Sequence, residues 1–267
     1  MAHARDLIYV SPLVRKYNDE EKIIQTWFLA EHCGINTMTA WPSERTLRIL
    51  REYRRRGGKI QWLSHIGYHD LETHASVVAS CVDNGAVGIY IAGDHCDRLV
   101  FEGKIDEIAE AVDIIKKNNL FAGVACHPIR VVTECEERHV NADFYMKTLH
   151  HDNYWSANPP DKRTVDVRVG DPAFMRGRNT SGQYHDNMWC IDADETIEYM
   201  KDVAKPWMAF KVLAAGAIGP ADGFKYAFEN GADFIQVGMF DFEIVDNINT
   251  CLKVLADNSS RIRSWYG

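Results

Sequence analysis

Lys147, Lys211, His65, His127 and Asp94 are the residues of this 267-residue chain whose types and positions offer the most chemistry. Each lies within or just after a short apolar run. A lysine walled in by apolar groups and set beside a second cation loses part of its preference for the ammonium form. Its free amine can then attack a carbonyl carbon. His127 or Asp94 would carry the proton. A second donor set overlaps the first: His65, His95, His127, His151 and Asp152 combine imidazole with carboxylate, as Zn, Mn, Fe or Co sites do. A divalent metal held there would polarise a sugar or keto-acid carbonyl for isomerisation, epimerisation or cleavage. The chain contains no HExxH spacing, and its first apolar run has no HxH pair. Each residue also has a structural reading. A strand lysine can pair with a carboxylate such as Asp94, and a strand-end histidine can bond loop carbonyls. His69, His74 and His139 read as surface groups.

These residues need a scaffold, and the chain supplies a repeating one. Short apolar runs fall at Leu7–Val10, Ile35–Ala40, Ile60–His65, Val87–Ala92, Leu120–Cys126, Asp143–Leu149, Trp207–Leu213 and Asp233–Val237. Amphipathic stretches separate them, including Asp19–His32, a helix opened by Ser43 and closed by Arg54–Arg56 with Gly57 and Gly58, Leu71–Asn84 and Lys104–Asn118. Several runs are continuously apolar, as in parallel strands covered by helices. Eight strand–helix units in a chain near the roughly 250 residues of a closed barrel predict an α/β fold, a (β/α)8 TIM barrel. Residues 1–267 read as one domain. Within it, 151–193 form a long insertion after strand six, rich in Pro, Gly, Asn and Asp, that reads as a lid or an oligomer-contact arm.

Strand side chains alternate between the helix layer and the barrel centre. The expected inward set is Gln61, Leu63 and His65 from strand three, Gly88, Tyr90 and Ala92 from strand four, and Gly123, Ala125 and His127 from strand five. Strand six adds Lys147 on a face shared with Tyr145, Leu149 and His151. Strand seven adds Ala209, Lys211 and Leu213, with Met208, Phe210 and Val212 toward the helices. Strand eight adds Gln236 and Gly238. Barrel interiors are mostly branched aliphatic, so ionisable groups gathered at the strand carboxyl ends mark a candidate site. Gln61, Tyr90, Gly216, Gln236 and Gly238 are the substrate-contact candidates, joined from the insertion by His185 and Trp189. Tyr184 and Asp186 neighbour them there.

Asp143-Phe144-Tyr145-Met146-Lys147-Thr148 and Phe210-Lys211-Val212-Leu213-Ala214-Ala215-Gly216-Ala217-Ile218 resemble the lysine-bearing strands of the deoxyribose-phosphate aldolase-like class I aldolases. The likeness covers two strands and the final turns. It implies a Schiff base on one lysine tuned by the other: Lys147 as nucleophile with Lys211 beside it, or the reverse. The stretches Trp207–Asp241 and Tyr145–Trp155 are also similar to uncharacterised bacterial barrel proteins of the aldolase type. The turns Ala215–Ile218 and Val237–Met239 resemble phosphate-binding loops of many barrels, where small residues let backbone N–H groups approach an oxyanion.

A net charge of -8 and a pI near 5.8 lack the basic footprint of nucleic-acid or anionic-membrane binding. No apolar run approaches a membrane span. Met1–Asp6 is polar, without the apolar stretch of a secretory signal, and the seven cysteines form no CxxC pair, so reduced thiols and a cytoplasmic location are expected. The leading expectation is a lyase of aldolase type acting on a small carbonyl compound, a sugar or sugar acid, with no cofactor. The alternatives are a divalent-metal isomerase, epimerase or lyase, and a non-catalytic metabolite-binding barrel. The assembly state, monomer or homo-oligomer, is open.

Overall fold

The computed structural model describes residues 11–67, 71–155, 157, 190, 193–257 and 260–266. Among the described residues, seven parallel strands form one sheet in sequential order: β1 (Thr37–Ala40), β2 (Gln61–Ile66), β3 (Gly88–Ile91), β4 (Phe121–Cys126), β5 (Phe144–Thr148), β6 (Trp207–Phe210) and β7 (Phe234–Gln236). They are the second to eighth runs of the sequence. The first, Leu7–Val10, lies outside the described residues, as does most of the 151–193 insertion with His185 and Trp189. The helices are α1 (Ser11–Lys16), α2 (Glu20–His32), α3 (Glu44–Arg55), α4 (Leu71–Asp83), α5 (Gly93–Phe101), α6 (Ile105–Lys117), α7 (Arg130–Glu137), α8 (Ala193–Met200), α9 (Pro220–Glu229) and α10 (Asp241–Asp257). Strand–helix alternation with all strands parallel is an α/β barrel of the TIM type.

The outer helices follow ordinary rules. Ser43 caps α3 by accepting the Thr46 N–H at 3.1 Å, Glu44 sits in the first turn, and Arg54 and Arg55 sit in the last. In α6, Ile105, Ile108, Ala111, Val112 and Ile115 recur at helical spacing and are buried against the sheet. The core has two layers. Trp62, Ile66, Ile89, Ile91, Ala122, Val124, Cys126, Tyr145, Trp207 and Ala209 belong to the large apolar layer shared with the helices. Leu63, Tyr90, Ala125 and Met146 form a smaller cluster with Phe144, Met208 and Phe210, which fills the barrel centre.

The sheet is rolled far enough for its two ends to meet. The Gln236 side-chain amide of β7 donates to the Thr39 hydroxyl of β1, and the Tyr90 hydroxyl of β3 joins both from the interior. Among the described residues this seam is made by side chains and not by a strand ladder.

Strand phase agrees with the sequence expectation in β2, β3 and β4 and departs from it in two places. In β6 the order is reversed: Met208 and Phe210 face the barrel centre, while Trp207 and Ala209 face the helices. The sequence cannot decide this, because both sets are apolar. In β5, Met146 points inward and Tyr145 belongs to the helix-facing layer. Lys147 shares the parity of Tyr145, so the strand does not direct it into the barrel centre as expected. The space next to Gly123 is taken by the Phe144 ring, which a Cβ at 123 would meet at 2.2 Å.

Two helices were not anticipated, the short α1 before Asp19 and α5. α5 begins at Gly93 directly after β3, so Asp94 and His95 lie in a first helical turn and not at the end of a strand. Glycine is a poor helix former, and the run Gly-Asp-His-Cys-Asp hides its periodicity. The glycine has a packing reason: a Cβ there would lie 3.2 Å from the His127 ring and 3.3 Å from the Cys126 nitrogen. It lets α5 close against the carboxyl end of β4.

Candidate active site

That close approach brings α5 and the end of β4 together. Asp97, in the second turn of α5, accepts the His127 backbone N–H on Oδ1 at 3.0 Å and lies 2.6 Å from His127 Nδ1 through Oδ2. The two side chains are only 1% and 6% exposed. On the other side of the ring, Lys211 Nζ lies 3.0 Å from His127 Nε2. Helix, strand end and the turn after β6 thus contribute one continuous hydrogen-bonded line: Asp97, His127, Lys211.

Lys211 reaches this position through its backbone. β6 stops at Phe210, and Lys211 has φ 60°. Ala214, Ala215 and Gly216 follow with φ 43°, 55° and 93° around a short 3-10 turn. Non-glycine residues avoid this left-handed region, at a cost of order 1–3 kcal/mol each, and such strain gathers at functional sites. The sequence reading placed Lys211 inward by strand alternation. The structure instead turns the chain out of the strand at that residue, with the Phe210 ring 5.7 Å from the ammonium.

The polar line restricts where protons sit. An ammonium only donates, so with Lys211 charged, Nε2 accepts and Nδ1 carries the proton offered to Asp97. Passing one proton from Lys211 to His127 leaves a free amine beside an imidazolium–carboxylate pair. Passing it on to Asp97 leaves amine, neutral imidazole and carboxylic acid. All three arrangements hold the same protons and the same net charge, and two of them free the amine. Burial pushes the Asp97 carboxyl well above the ordinary carboxylate range, against the His127 N–H and the cations Lys211 and Lys147, which pull it down. Asp97 is therefore a strong terminal acceptor for that proton.

Lys147 is fully buried and lies behind this line. Its Nζ donates to the Thr148 carbonyl at 3.0 Å and lies 3.2 Å from the Thr148 hydroxyl, which itself donates to the His127 carbonyl at 3.1 Å. It acts on Asp97 by charge. Asp94 also acts on Asp97, raising it by like charge.

The remaining candidates scatter. His65, at the end of β2, stacks on Tyr90 at 5.1 Å and meets the Trp41 ring edge-on at 4.7 Å. His95 pairs through Nδ1 with Arg98 at 3.1 Å and faces His74, which is buried and not the surface group its sequence suggested. His151 packs against Tyr226, and its Nδ1 accepts the Asn153 N–H. His65, His95 and His127 thus have separate surroundings, and His151 and Asp152 lie apart from them beside Tyr226. Among the described residues no group of three or more His, Cys, Asp or Glu side chains is arranged to hold a metal ion. Gln61 begins β2, at the opposite end of the barrel, where it lines a shallow cleft with Glu31, Asn36 and Lys59. Gln236 and Tyr90 belong to the seam. Gly216 lies in the left-handed turn near Lys211, and Gly238 is exposed after β7.

Asp97 and Trp41 are the residues that sequence reasoning missed. For Asp97 the signal was available: an aspartate at helical spacing from Gly93 and Asp94, on the barrel's carboxyl side. It was hidden by taking those residues for a strand end.

No helix among the described residues is long and apolar enough to cross a membrane. No family model and no curated protein matches the chain. Among solved structures, the chain is similar to two described as a putative aldo-keto reductase from Pseudomona aeruginosa, with TM-scores of 0.60 and 0.61 and 16% identity, covering 89% of this chain and 84% of each of those. It is also similar to Gox0644 in its apo form, with a TM-score of 0.55 and 9% identity over 92% of this chain and 88% of that one. At such identities the likeness is one of fold. The chain is an α/β barrel of the TIM type.

Proposed function

We propose that the protein is an enzyme acting on a small carbonyl compound, a sugar or sugar acid, through an imine on Lys211, in a lyase reaction of aldolase type. The observation that supports this reading is the Asp97–His127–Lys211 line, with Nζ 3.0 Å from an imidazole whose far side is held by a buried carboxylate. A nucleophile, a base and a group orienting the base are the parts that covalent catalysis needs.

In this reading His127 takes a proton from the Lys211 ammonium, and the freed amine forms the C–N bond to the substrate carbonyl. The carbonyl oxygen takes that proton back from His127 and a second from the attacking nitrogen and leaves as water, giving a protonated imine. The protonated imine then takes the electron pair of a neighbouring C–C bond as neutral His127 accepts the hydroxyl proton of the departing carbonyl fragment. The resulting enamine is reprotonated at carbon, and water hydrolyses it from Lys211. Lys147 acts as a positioning cation on Asp97, so Lys211 takes the nucleophile role that the sequence left open between the two lysines.

Borohydride trapping tests this directly. Wild-type protein incubated with glycolaldehyde, glyceraldehyde, pyruvate or glyoxylate and reduced should gain a stable adduct that peptide mapping assigns to Lys211, and Lys211→Met should gain none there. Absence of any Lys211 adduct across that panel would sink the imine reading. Stoichiometric Zn, Mn, Fe or Co in the purified protein, lost in His127→Ala, would replace it with the metal-dependent isomerase or lyase.

A further inference from the structure

The same carboxyl rim carries a second polar feature that the relay does not use. His65, the last residue but one of β2, lies between the rings of Trp41 and Tyr90. Its Nδ1 is sealed from solvent and has no hydrogen-bond partner, while the residue as a whole is only partly buried. A buried donor left unpaired costs about 1–3 kcal/mol, and a bare lone pair is tolerated better than a bare N–H. The proton therefore belongs on Nε2. Burial alone, with no charged neighbour, lowers the His65 pKa to about 4, so the ring is neutral at physiological pH. A neutral imidazole with a fixed tautomer offers one uncharged N–H to an oxygen, a task such rings perform in other barrels.

From this geometry we infer that His65 and Trp41 form a binding niche for an uncharged, hydroxylated part of the ligand, with His65 Nε2–H donating to a hydroxyl or carbonyl oxygen and the Trp41 ring covering its C–H face. Trp41 is 37% exposed and meets His65 edge-on, so the residue presents surface to solvent beside the imidazole. An aromatic plane beside a single neutral donor suits a polyol chain. It offers nothing to a carboxylate or phosphate, which would need a cation. As a statement about the substrate, the inference rests on the carbonyl-enzyme reading above: the polyol end of a hydroxylated aldehyde or ketone would lie here while its carbonyl meets Lys211.

Polyols isolate the niche from the imine, because glycerol, erythritol and xylitol have no carbonyl. Histidine-ring NMR of the whole protein should show His65 as the Nε2–H tautomer. Its signals should shift saturably with at least one of the three polyols in wild type and in Lys211→Met. The shift should vanish in Trp41→Ala and the binding in His65→Phe, and His65→Gln should restore binding by returning an N–H. An Nδ1–H tautomer, or no saturable shift with any of the three, overturns the niche whatever the trapping result. Saturable polyol shifts without a Lys211 adduct would leave the niche standing and remove the imine alone.

Discussion

The barrel holds a buried aspartate near each of its ends, and the two are used in opposite ways. At the base, Asp233 precedes β7 and accepts four hydrogen bonds: from the Trp207 and Tyr266 backbone N–H groups at 2.9 and 3.0 Å, and from Arg261 and Arg263 at 2.8 and 3.1 Å. Those arginines continue into the carbonyls of Phe228, Gly231, Ala232, Val203 and Lys205, and Arg261 lies 3.8 Å over the Trp265 ring. Every partner is a fixed donor, so the proton inventory has one solution. At the mouth, Asp97 faces a histidine whose second nitrogen faces a lysine, and three proton arrangements are equivalent in charge. A buried carboxylate between permanent cations is a rivet. One facing titratable groups is, in the imine reading proposed above, the terminus of a relay.

Substitution of the two aspartates should separate these roles. Asp233→Asn leaves two buried guanidinium groups without their anion and is expected to destabilise the fold by about 3–5 kcal/mol, read from denaturant midpoints. A loss below about 1 kcal/mol would mean the base is not the rivet described.

The mouth should instead show itself in pH. His65 has its pKa lowered to about 4 from 6.5 by burial, so between those values the unfolded chain binds the proton that the folded one refuses. Stability then rises with pH across this window and is lost as pH falls from 6.5 towards 4, by about 3 kcal/mol from this ring. His65→Phe should flatten that limb by a similar amount, and an unchanged slope would show that the ring titrates normally.

The smallest change in stability is expected for Asp97→Asn, within about 1 kcal/mol, because burial already favours a neutral group there. Its chemical effect is large. The His127 backbone N–H claims the amide's only oxygen, so the NH2 faces Nδ1 and forces the ring proton onto Nε2, which can no longer accept from Lys211. Trapping at Lys211 should slow by about 10²-fold or more, the range general acid–base groups supply. An undiminished rate would reduce Asp97 to packing.

Much of the scaffold was legible beforehand because parallel strands announce themselves as apolar runs. Every run within the described residues is a strand, and the two-residue alternation placed His65, Tyr90 and His127 correctly. It failed where its assumptions failed. In β6 both faces are apolar, so alternation could not choose between them. Lys211 is no longer in the strand, so its direction follows from a turn. The α5 segment opens with a glycine needed for close packing, and its helical period is invisible without knowing what it packs against. Asp97 could only be found with α5 in place.

The left-handed backbone at Lys211 separates two inheritances within one chain. Strand register is set by β6, which ends one residue earlier, whereas the amine is aimed by the five residues that follow. Changes in Val212–Gly216 can therefore retune the reach and angle of the amine without disturbing any pairing in the sheet. The barrel behaves as a fixed socket, and this short turn as the adjustable part through which related chains could acquire different reactions.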